Sequence, residues 1–310
     1  MTFRIITALI VALWTPAAIS ETFHIGDVIV STVIANDPNI VPFKGAIRQF
    51  GPDGVMIREV FAGDYTAADI KFSPQGILHA AAGSAVLRFT SDGSALFPLQ
   101  ALSAVYVIQS LAFSDSGELY ATVGDALKFG PDGDQQAIIP LQTQSRWADL
   151  GIDQCTLFHL RGSPISIGRF DVCNHLLLTP LPTQLGDSGR TLLVLRDGSL
   201  LASTSHSDIY RIGQDGTILR HYTTHAVAYA RDISPSFVWV ALGQKFAKLD
   251  LQNDVIVAGP FDSGPIGMFG SISGIAVVGA DASTIPALSP MLLALLALGV
   301  AIFAILRLRS

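Results

Sequence analysis

Residues 111–133 read LAFSDSGELYATVGDALKFGPDG, and short polar turns separate the apolar runs within this stretch. The last turn ends in Asp132 and Gly133, directly after an apolar run that closes at Phe129. Asp-Gly between two apolar runs is a strong signal of a β-hairpin, in which both central residues of the tight turn need positive φ. The stretch therefore predicts short antiparallel strands joined by tight turns.

The Asp-Gly turn recurs along the chain at a nearly constant spacing. Clear copies end at Gly54, Gly93, Gly133 and Gly216, and weaker copies end at Asn174 and Asp254, so that the successive steps are 39, 40, 41, 42 and 38 residues. A second motif, an apolar strand followed by a polar turn, runs in phase and has its anchors at Phe72, Phe113, Ile152, Val194 and Ile233. An internal repeat of this length indicates one structural unit per period.

Each period has room for four short strands. In the second period we expect these strands at Ala68–Phe72, Ile77–Ala82, Ala85–Phe89 and Ala95–Leu99. Four antiparallel strands every 40 residues form the blade of a β-propeller. Helical periodicity is absent from the whole region between the chain ends, which argues against a solenoid of helix pairs.

The two ends of this region complete each other. Residues 27–32 look like a second strand with no first strand before it, and residues 274–279 look like a first strand with nothing after it. Joining them in one blade closes the ring and removes its exposed strand edges. We therefore predict an all-β fold, a six-bladed propeller of four-stranded blades closed by a C-terminal strand in the first blade, plus one C-terminal transmembrane helix.

The chain ends predict export and a membrane segment. An apolar run over residues 5–14 follows Arg4, and a small-x-small pattern ends at Ser20, which is the layout of a signal peptide; a buried N-terminal helix is the alternative. Residues 285–306 carry no charge and are long enough to span a bilayer, and Arg307 and Arg309 follow them, as expected on the cytoplasmic side. We expect a signal peptide over 1–20, the propeller over 21–280, a linker over 281–284 and a transmembrane or sorting segment over 285–310.

This layout places the propeller on the periplasmic or cell-surface side, anchored at least transiently in the inner membrane through residues 285–306. Of the 19 basic residues, Arg4, Arg307 and Arg309 lie in the end segments, and all 25 acidic residues lie between these segments, so the middle has a net charge of −9. No basic cluster offers contacts to phosphate groups, which argues against nucleic acid as a partner. The expected ligand is a protein, a glycan or a small molecule.

The chain has two cysteines, Cys155 and Cys173, an even number that suggests a disulfide in an exported protein. Cys155 falls in the turn between the first and second strands of the fourth blade, and Cys173 falls between its third and fourth strands. Both turns lie at the same end of the blade, so a bridge is possible; two buried free thiols are the alternative. Because this blade has lost its Asp-Gly turn, we hypothesise that the bridge compensates for that loss.

The strand motifs resemble those of a known group of propellers. Residues 111–122 (LAFSDSGELYAT), followed by LKFGPDG at 127–133, resemble NHL-type and related six-bladed propellers, among them gluconolactonase-like and streptogramin-lyase-like proteins. The resemblance covers residues 26–280 at the level of the blade and so implies a fold more than a function. Enzymes of these groups use acidic and amide ligands for a divalent cation, or a His/Glu pair for lyase chemistry.

The C-terminal segment resembles a bacterial sorting signal. Ile285, Pro286, Ala287, Leu288 and Ser289 stand where the IPTL-CTERM family has Ile-Pro-Thr-Leu-Ser, and an apolar segment and terminal arginines follow. Ala replaces Thr, and the family's Trp-Gly pair is absent. The resemblance implies recognition by a membrane-embedded sorting protease, and a permanent membrane anchor is the alternative.

Candidate ligand-binding residues lie in the loops that join one blade to the next and the second strand to the third, because propellers usually bind ligands at that end of the ring. These residues are Arg146, Trp147, Arg190, His206, His221, His225, Tyr229 and Arg231. The spacing of His221 and His225 would suit a metal on a helix. The segment reads as a strand end and a loop, so an ordinary polar loop is the default interpretation.

Two classes of function follow from these residues. We expect a binding or scaffold module without a catalytic set; its three glutamates, Glu21, Glu59 and Glu118, lie away from the candidate loops. The alternative is a metal-dependent hydrolase or lyase, in which Asp69, Asp149 and Asp232 would converge in the central channel on a divalent cation. Asp69 and Asp149 are expected at equivalent positions of their first strands, with Asp232 two positions later. Asp also commonly caps strand starts and turns.

Overall fold

The computed structural model describes residues 22–34, 44–100, 107–141, 145–161, 164–186, 188–266 and 270–280. In chain order the first strands are β1 (Val28–Ile34), β2 (Lys44–Phe50), β3 (Met56–Gly63), β4 (Ala67–Phe72), β5 (Leu78–Ala82), β6 (Ala85–Phe89), β7 (Ala95–Gln100), β8 (Ser110–Phe113), β9 (Leu119–Thr122), β10 (Ala126–Phe129), β11 (Gln135–Ile139) and β12 (Ala148–Leu150). The remaining strands are β13 (Thr156–Arg161), β14 (Ile165–Asp171), β15 (Leu176–Leu178), β16 (Gln184–Leu185), β17 (Gly189–Val194), β18 (Leu200–Thr204), β19 (Ile209–Ile212), β20 (Ile218–Tyr222), β21 (Tyr229–Arg231), β22 (Phe237–Leu242), β23 (Lys245–Asp250), β24 (Val255–Asp262) and β25 (Ser271–Val277).

These strands form six antiparallel sheets, which confirms the six-bladed propeller. Blade 2 contains β4 to β7, and its strand bounds differ by at most one residue from those expected from the sequence. Blade 4 departs from the pattern, because β15 and β16 pair with opposite ends of β14 and together form a split outer strand. Within the described part of the chain every regular element is a strand and none is a helix.

The ring closes as expected, in the first blade. Strand β25 pairs antiparallel with β1, from Val277 opposite Val28 to Ser271 opposite Val33, and it is the innermost strand of that blade. The final strand of the domain therefore supplies the first strand of blade 1. This arrangement places the two ends of the domain side by side.

The hydrophobic core lies in layers between adjacent blades. At the junction of blades 6 and 1, Phe50 and Phe246 have ring centroids 4.8 Å apart, and Trp239 packs on Phe246 at 5.8 Å. All three side chains are buried. Each blade therefore has two apolar faces, and both faces are covered only when the ring is complete.

The two faces of the ring carry different loops. We call the upper face the one with the turns between second and third strands and the connections between blades; the lower face has the other turns. Both ends of the described domain lie at the lower face, where the Gly26 amide donates to the Val278 carbonyl at 3.1 Å and the Val278 amide donates to the Asp27 carbonyl at 3.0 Å. The disulfide between Cys155 and Cys173 is also at the lower face, with Cα atoms 5.2 Å apart.

The Asp-Gly turns differ from the expected type. Gly54, Gly93, Gly133 and Gly216 have positive φ, whereas the preceding aspartates do not. In the first of these turns the Gly54 amide donates to the Gly51 carbonyl at 2.9 Å, and the Asp53 carboxylate accepts the Val55 amide at 3.1 Å. The turn is thus four residues long with a left-handed glycine at its end, and the aspartate acts through its side chain.

Blades 4 and 6 replace this turn with another one. Asp171 accepts hydrogen bonds from the amides of Cys173 and Asn174, and Asp250 accepts hydrogen bonds from the amides of Gln252 and Asn253. In each case the asparagine side chain also donates to the same aspartate, at 2.9 Å. The weaker copies of the repeat are therefore a distinct Asp-x-x-Asn turn, which ends at a residue of positive φ, His175 or Asp254.

The predicted signal peptide, linker and transmembrane or sorting segment lie outside the described residues. Within the described ranges, the structure contains no helix that could cross a membrane.

Candidate functional site

The central channel is lined by the first strands of the blades, and Asp69 is one of its acidic groups, partly buried. Its carboxylate accepts the Ile70 amide within blade 2 and the Leu111 amide of blade 3, both at 2.9 Å. Burial raises the pKa of Asp69 to about 6, against opposing effects from the Lys71 ammonium and the two amides. Asp69 is therefore a contact between two blades as well as a channel carboxylate.

Asp149 plays the same part between blades 4 and 5. Its carboxylate accepts the Leu150 amide at 3.1 Å and the Val194 amide of the next blade at 2.8 Å. Arg231 reaches across from blade 6, donating Nη2 to Asp149 at 2.7 Å and Nε to the Val194 carbonyl at 2.6 Å. Asp149 and Arg231 thus form an ion pair in the channel that joins three blades.

The third acidic residue, Asp232, lies elsewhere. It follows β21 in the lower turn of blade 6, where its carboxylate accepts hydrogen bonds from Trp239 Nε1 at 2.8 Å and the Ser234 amide at 3.0 Å. Lys248 Nζ lies 2.9 Å from the same carboxylate. All of its partners belong to blade 6, so Asp232 stabilises its own blade.

Strand pairing corrects the alignment on which convergence of these carboxylates depended. Asp149 pairs with Phe158, and Lys71 pairs with His79; in each blade one further pair follows before the lower turn. Asp149 therefore stands at the height of Lys71, below Asp69. Asp69 lies in a bulge of β4, and Asp232 lies beyond its strand altogether. The three carboxylates occupy three heights along the ring axis. Among the residues that the structure describes, no group of three or more His, Cys, Asp or Glu side chains is arranged to hold a metal ion.

The upper face of blade 5 brings two of the candidate histidines together around an aspartate. Asp208 Oδ1 lies 3.7 Å from His221 Nε2 and 3.4 Å from His225 Nδ1. The His221 ring stacks on Tyr210 with centroids 4.5 Å apart and planes inclined by 8°. Both imidazoles are exposed, at 55% and 63% of their side-chain surface. We call Asp208, Tyr210, His221 and His225 the blade 5 cluster.

Sequence reasoning missed Asp208 and Tyr210 in this cluster. The signal for them is the register of the hairpin, since Tyr210 pairs with His221 and Ile209 pairs with Tyr222. That register places Asp208, the residue before β19, beside the loop that follows β20 and contains His225. The loop is held there by the Ala226 amide, which donates to the Ser207 carbonyl at 3.0 Å.

The other candidate ligand-binding residues are dispersed. Arg146 and His206 are exposed in upper loops of blades 4 and 5, and Trp147 packs partly buried between those blades. Tyr229 is buried beside Ser203, where neither hydroxyl makes a hydrogen bond of ordinary geometry, and burial raises the pKa of Tyr229 while the Arg190 guanidinium opposes that shift. Arg231 lies in the channel. Only His221 and His225 form a surface cluster.

No protein-family model matches this chain, and no curated protein sequence matches it. Solved structures with the same fold include a protein of unknown function from Bacteroides caccae, with 12% identity and a TM-score of 0.60 over 81% of this chain and 99% of that chain. A chain of a nidogen/laminin complex has 10% identity and a TM-score of 0.62, over 82% and 98%. The Pan2 WD40 domain of Neurospora crassa has 12% identity and a TM-score of 0.52, over 63% and 66%. At such low identity these similarities establish the propeller fold alone.

Proposed function

We propose that this protein is an exported β-propeller, tethered at the cell envelope, which binds a ligand at its upper face and has no catalytic role. The observation that supports this proposal most is that the channel carboxylates already have hydrogen-bonding partners within the protein. Asp69 and Asp149 each accept two backbone amides, one of them from the next blade, and Asp149 is also paired with Arg231. Groups used in this way hold the ring together and are poor candidates for a labile metal site.

The ligand-binding surface in this proposal is the blade 5 cluster. Two exposed imidazoles around one carboxylate, with an aromatic ring stacked behind them, offer hydrogen bonds and a flat apolar surface in one place. Such a surface suits a polar ligand with an apolar face, such as a glycan or a segment of a protein. The metal-dependent hydrolase or lyase alternative gains no support from the placement of Asp69, Asp149 and Asp232.

A thermal melt tests the non-catalytic part of the proposal. We expect the melting temperature of residues 21–283 to be unchanged by EDTA and by added calcium, magnesium or zinc, because the channel carboxylates already have protein partners. A shift of several degrees on removal of cations would contradict this expectation and favour the metal-dependent alternative.

A glycan array and a panel of envelope proteins test the binding surface. The matched variants are His221→Ala with His225→Ala, in the blade 5 cluster, and His24→Ala, an exposed histidine of the lower face. We expect a bound ligand to be lost by the first variant and kept by the second. A ligand that both variants bind equally well would place the site elsewhere on the ring.

Export and the tail complete the proposal. We infer that residues 1–20 are removed as a signal peptide and that residues 285–306 span the inner membrane, with either permanent anchoring or later processing by a sorting protease. The intact mass of the mature protein tests both ends. Removal of residues 1–20 with an uncut C-terminus favours an anchor, and loss of the C-terminal segment as well favours sorting.

A further inference from the structure

We propose that the lower mouth of the channel faces the membrane, so that the upper face and its blade 5 cluster point away from the lipid surface. This inference rests on the proposed function, namely that residues 285–306 span the membrane. Its structural basis is the position at which the chain leaves the ring, the short length of chain beyond that position, and the side chains around it.

The chain leaves the ring at the centre of the lower face. Strand β25 is the innermost strand of blade 1 and runs from the upper to the lower face. Ala280, which follows it, is buried, and its carbonyl accepts Nη2 of Arg196 at 2.9 Å. The same guanidinium donates Nη1 to the Ile233 carbonyl at 2.6 Å. Arg196 of blade 5 therefore holds the exit point against blade 6, close to the ring axis.

The tether is too short for the ring to turn over. Only residues 281–284 separate Ala280 from the apolar segment, and four residues span at most about 14 Å. The first and fourth strands of a blade are about 14 Å apart, and a strand of seven residues such as β25 is about 23 Å long. To bring the upper face to the lipid, the chain would have to cross the lower face and pass the full height of the ring. The tether length therefore keeps the upper face away from the membrane and leaves the lower face nearest to it.

The side chains around the exit suit this position. Ile25 and Ile233 are exposed at 65% and 40%, although both are apolar. Both lie beside the exit. Ile233 is next to Gly26, because a Cβ atom built on Gly26 would be 3.8 Å from Ile233 Cδ1, and Ile25 is next to Gly279, because a Cβ atom built on Gly279 would be 3.4 Å from Ile25 Cγ2. Apolar side chains at a membrane surface lose contact with water, which is favourable.

The acidic turns limit this contact to the mouth of the channel. Asp53, Asp92, Asp132 and Asp215 lie in turns between third and fourth strands, on the outer part of the same face. Carboxylates at these positions would be repelled by anionic headgroups. We therefore infer that the tether, rather than an affinity of the ring for lipid, holds the lower face at the membrane.

Quenching of tryptophan fluorescence by brominated lipid tests the orientation. The full chain is placed in phosphatidylcholine vesicles with brominated acyl chains, and Ile233→Trp at the lower mouth is compared with Tyr65→Trp, an exposed residue of the upper connection between blades 1 and 2. We expect loss of the added fluorescence for Ile233→Trp and no such loss for Tyr65→Trp. Thermal melts of both variants establish that each is folded.

Two other outcomes would overturn the inference, and they separate it from the function on which it rests. If the protein floats with the vesicles but Tyr65→Trp is quenched at least as strongly as Ile233→Trp, the tail spans the membrane and the orientation is wrong. If the protein does not float with the vesicles, the tail does not span the membrane, and the anchoring part of the proposed function fails together with the orientation.

Discussion

At the scale of single residues, the polar side chains of the channel join one blade to the next. Ser273 donates to the Ala67 carbonyl at 2.6 Å, and Ser110 accepts the Ala148 amide at 2.8 Å. Asp69 and Asp149 make the corresponding contacts at two other boundaries. An innermost strand has backbone groups on its channel side that no neighbouring strand can pair, and buried backbone groups need partners. Side chains of the adjacent blade supply them.

The partly buried carboxyl of Asp69 predicts an unusual dependence of stability on pH. Because burial raises its pKa from 3.8 to about 6, the folded state binds more protons than the unfolded state between these values. The stabilisation that this carboxyl contributes is fully present below about pH 4 and is lost as the pH rises through 6. The free energy of unfolding falls by about 2 kcal/mol between pH 4.5 and 7.5 for this reason. Asp69→Asn removes the titrating group and should therefore not show this loss. We expect the free energy of unfolding of the variant to increase relative to that of the wild type as the pH rises.

Urea unfolding at a series of pH values measures this difference. Asp64→Asn serves as the control, since Asp64 is an exposed carboxylate of the upper connection between blades 1 and 2. We expect the control to follow the wild type at every pH. Parallel curves for Asp69→Asn and the wild type would show that Asp69 is not the titrating group.

At the scale of strands and turns, the sequence predicts the blades well where the glycine turns are intact. Blade 2 matches to within one residue because glycines such as Gly76 and Gly93 mark its turns by their positive φ. In blades 4 and 6 the anchors Ile152 and Ile233 lie in exposed lower turns, and the equivalent strand residues, by pairing, are Leu150 and Arg231. An apolar pattern cannot distinguish an exposed isoleucine in a turn from a buried one in a strand.

A sequence pattern does not show which strand residues pair, and for this reason only part of the candidate site was predictable. His221 and His225 are visible as a polar stretch in an upper loop. Asp208 enters the blade 5 cluster through the pairing of β19 with β20, which brings together residues that are 13 and 17 positions apart in the chain. The misplaced equivalence of Asp69 with Asp149 follows from the misplaced anchor, since counting back from Ile152 instead of Leu150 shifts the alignment of blade 4 by two residues.

The disulfide of blade 4 predicts a measurable effect of reductant. It closes a loop of 18 residues between two lower turns, and such a bridge stabilises by about 3 kcal/mol in the chain-entropy model. For a domain of this size that corresponds to a fall in melting temperature of about 6–12 °C on reduction. We expect the same fall for Cys155→Ser with Cys173→Ser, and no further effect of reductant on that variant.

A second variant tests whether the bridge compensates for the missing Asp-Gly turn. In it, residues 172–175 are replaced by Gly-Pro-Asp-Gly, the sequence of the turn in blade 1. This replacement removes Cys173, so it is combined with Cys155→Ser and compared with the variant Cys155→Ser with Cys173→Ser. If the hypothesis holds, the variant with the new turn has the higher melting temperature of the two. Equal melting temperatures of the wild-type protein with and without reductant would rule the hypothesis out.

At the scale of the whole molecule, stability depends on closure of the ring. The core has no single centre, because each apolar layer lies between two blades, and the layer between blades 6 and 1 contains residues from both ends of the domain. Val28 and Val30 of β1 share that layer with Ile272, Ile275 and Val277 of β25. Neither end can bury its apolar side chains without the other. The closing strand thus makes folding of the ring a cooperative property of the complete domain.

Removal of the closing strand is therefore expected to unfold the ring rather than to weaken it slightly. Burial of Ile272, Ile275 and Val277 contributes about 5–8 kcal/mol, comparable with the total stability of an ordinary domain. We expect a chain that ends at Gly270 to lose its cooperative thermal transition, while a chain that ends at Ser283, with β25 intact, keeps it. Because a propeller blade can accept a separate strand by edge pairing, a synthetic peptide of residues 270–281 should restore the transition in the shorter chain. A cooperative transition of unchanged midpoint in the chain that ends at Gly270 would show that the remaining blades form a stable open ring, and that closure is not what makes the domain cooperative.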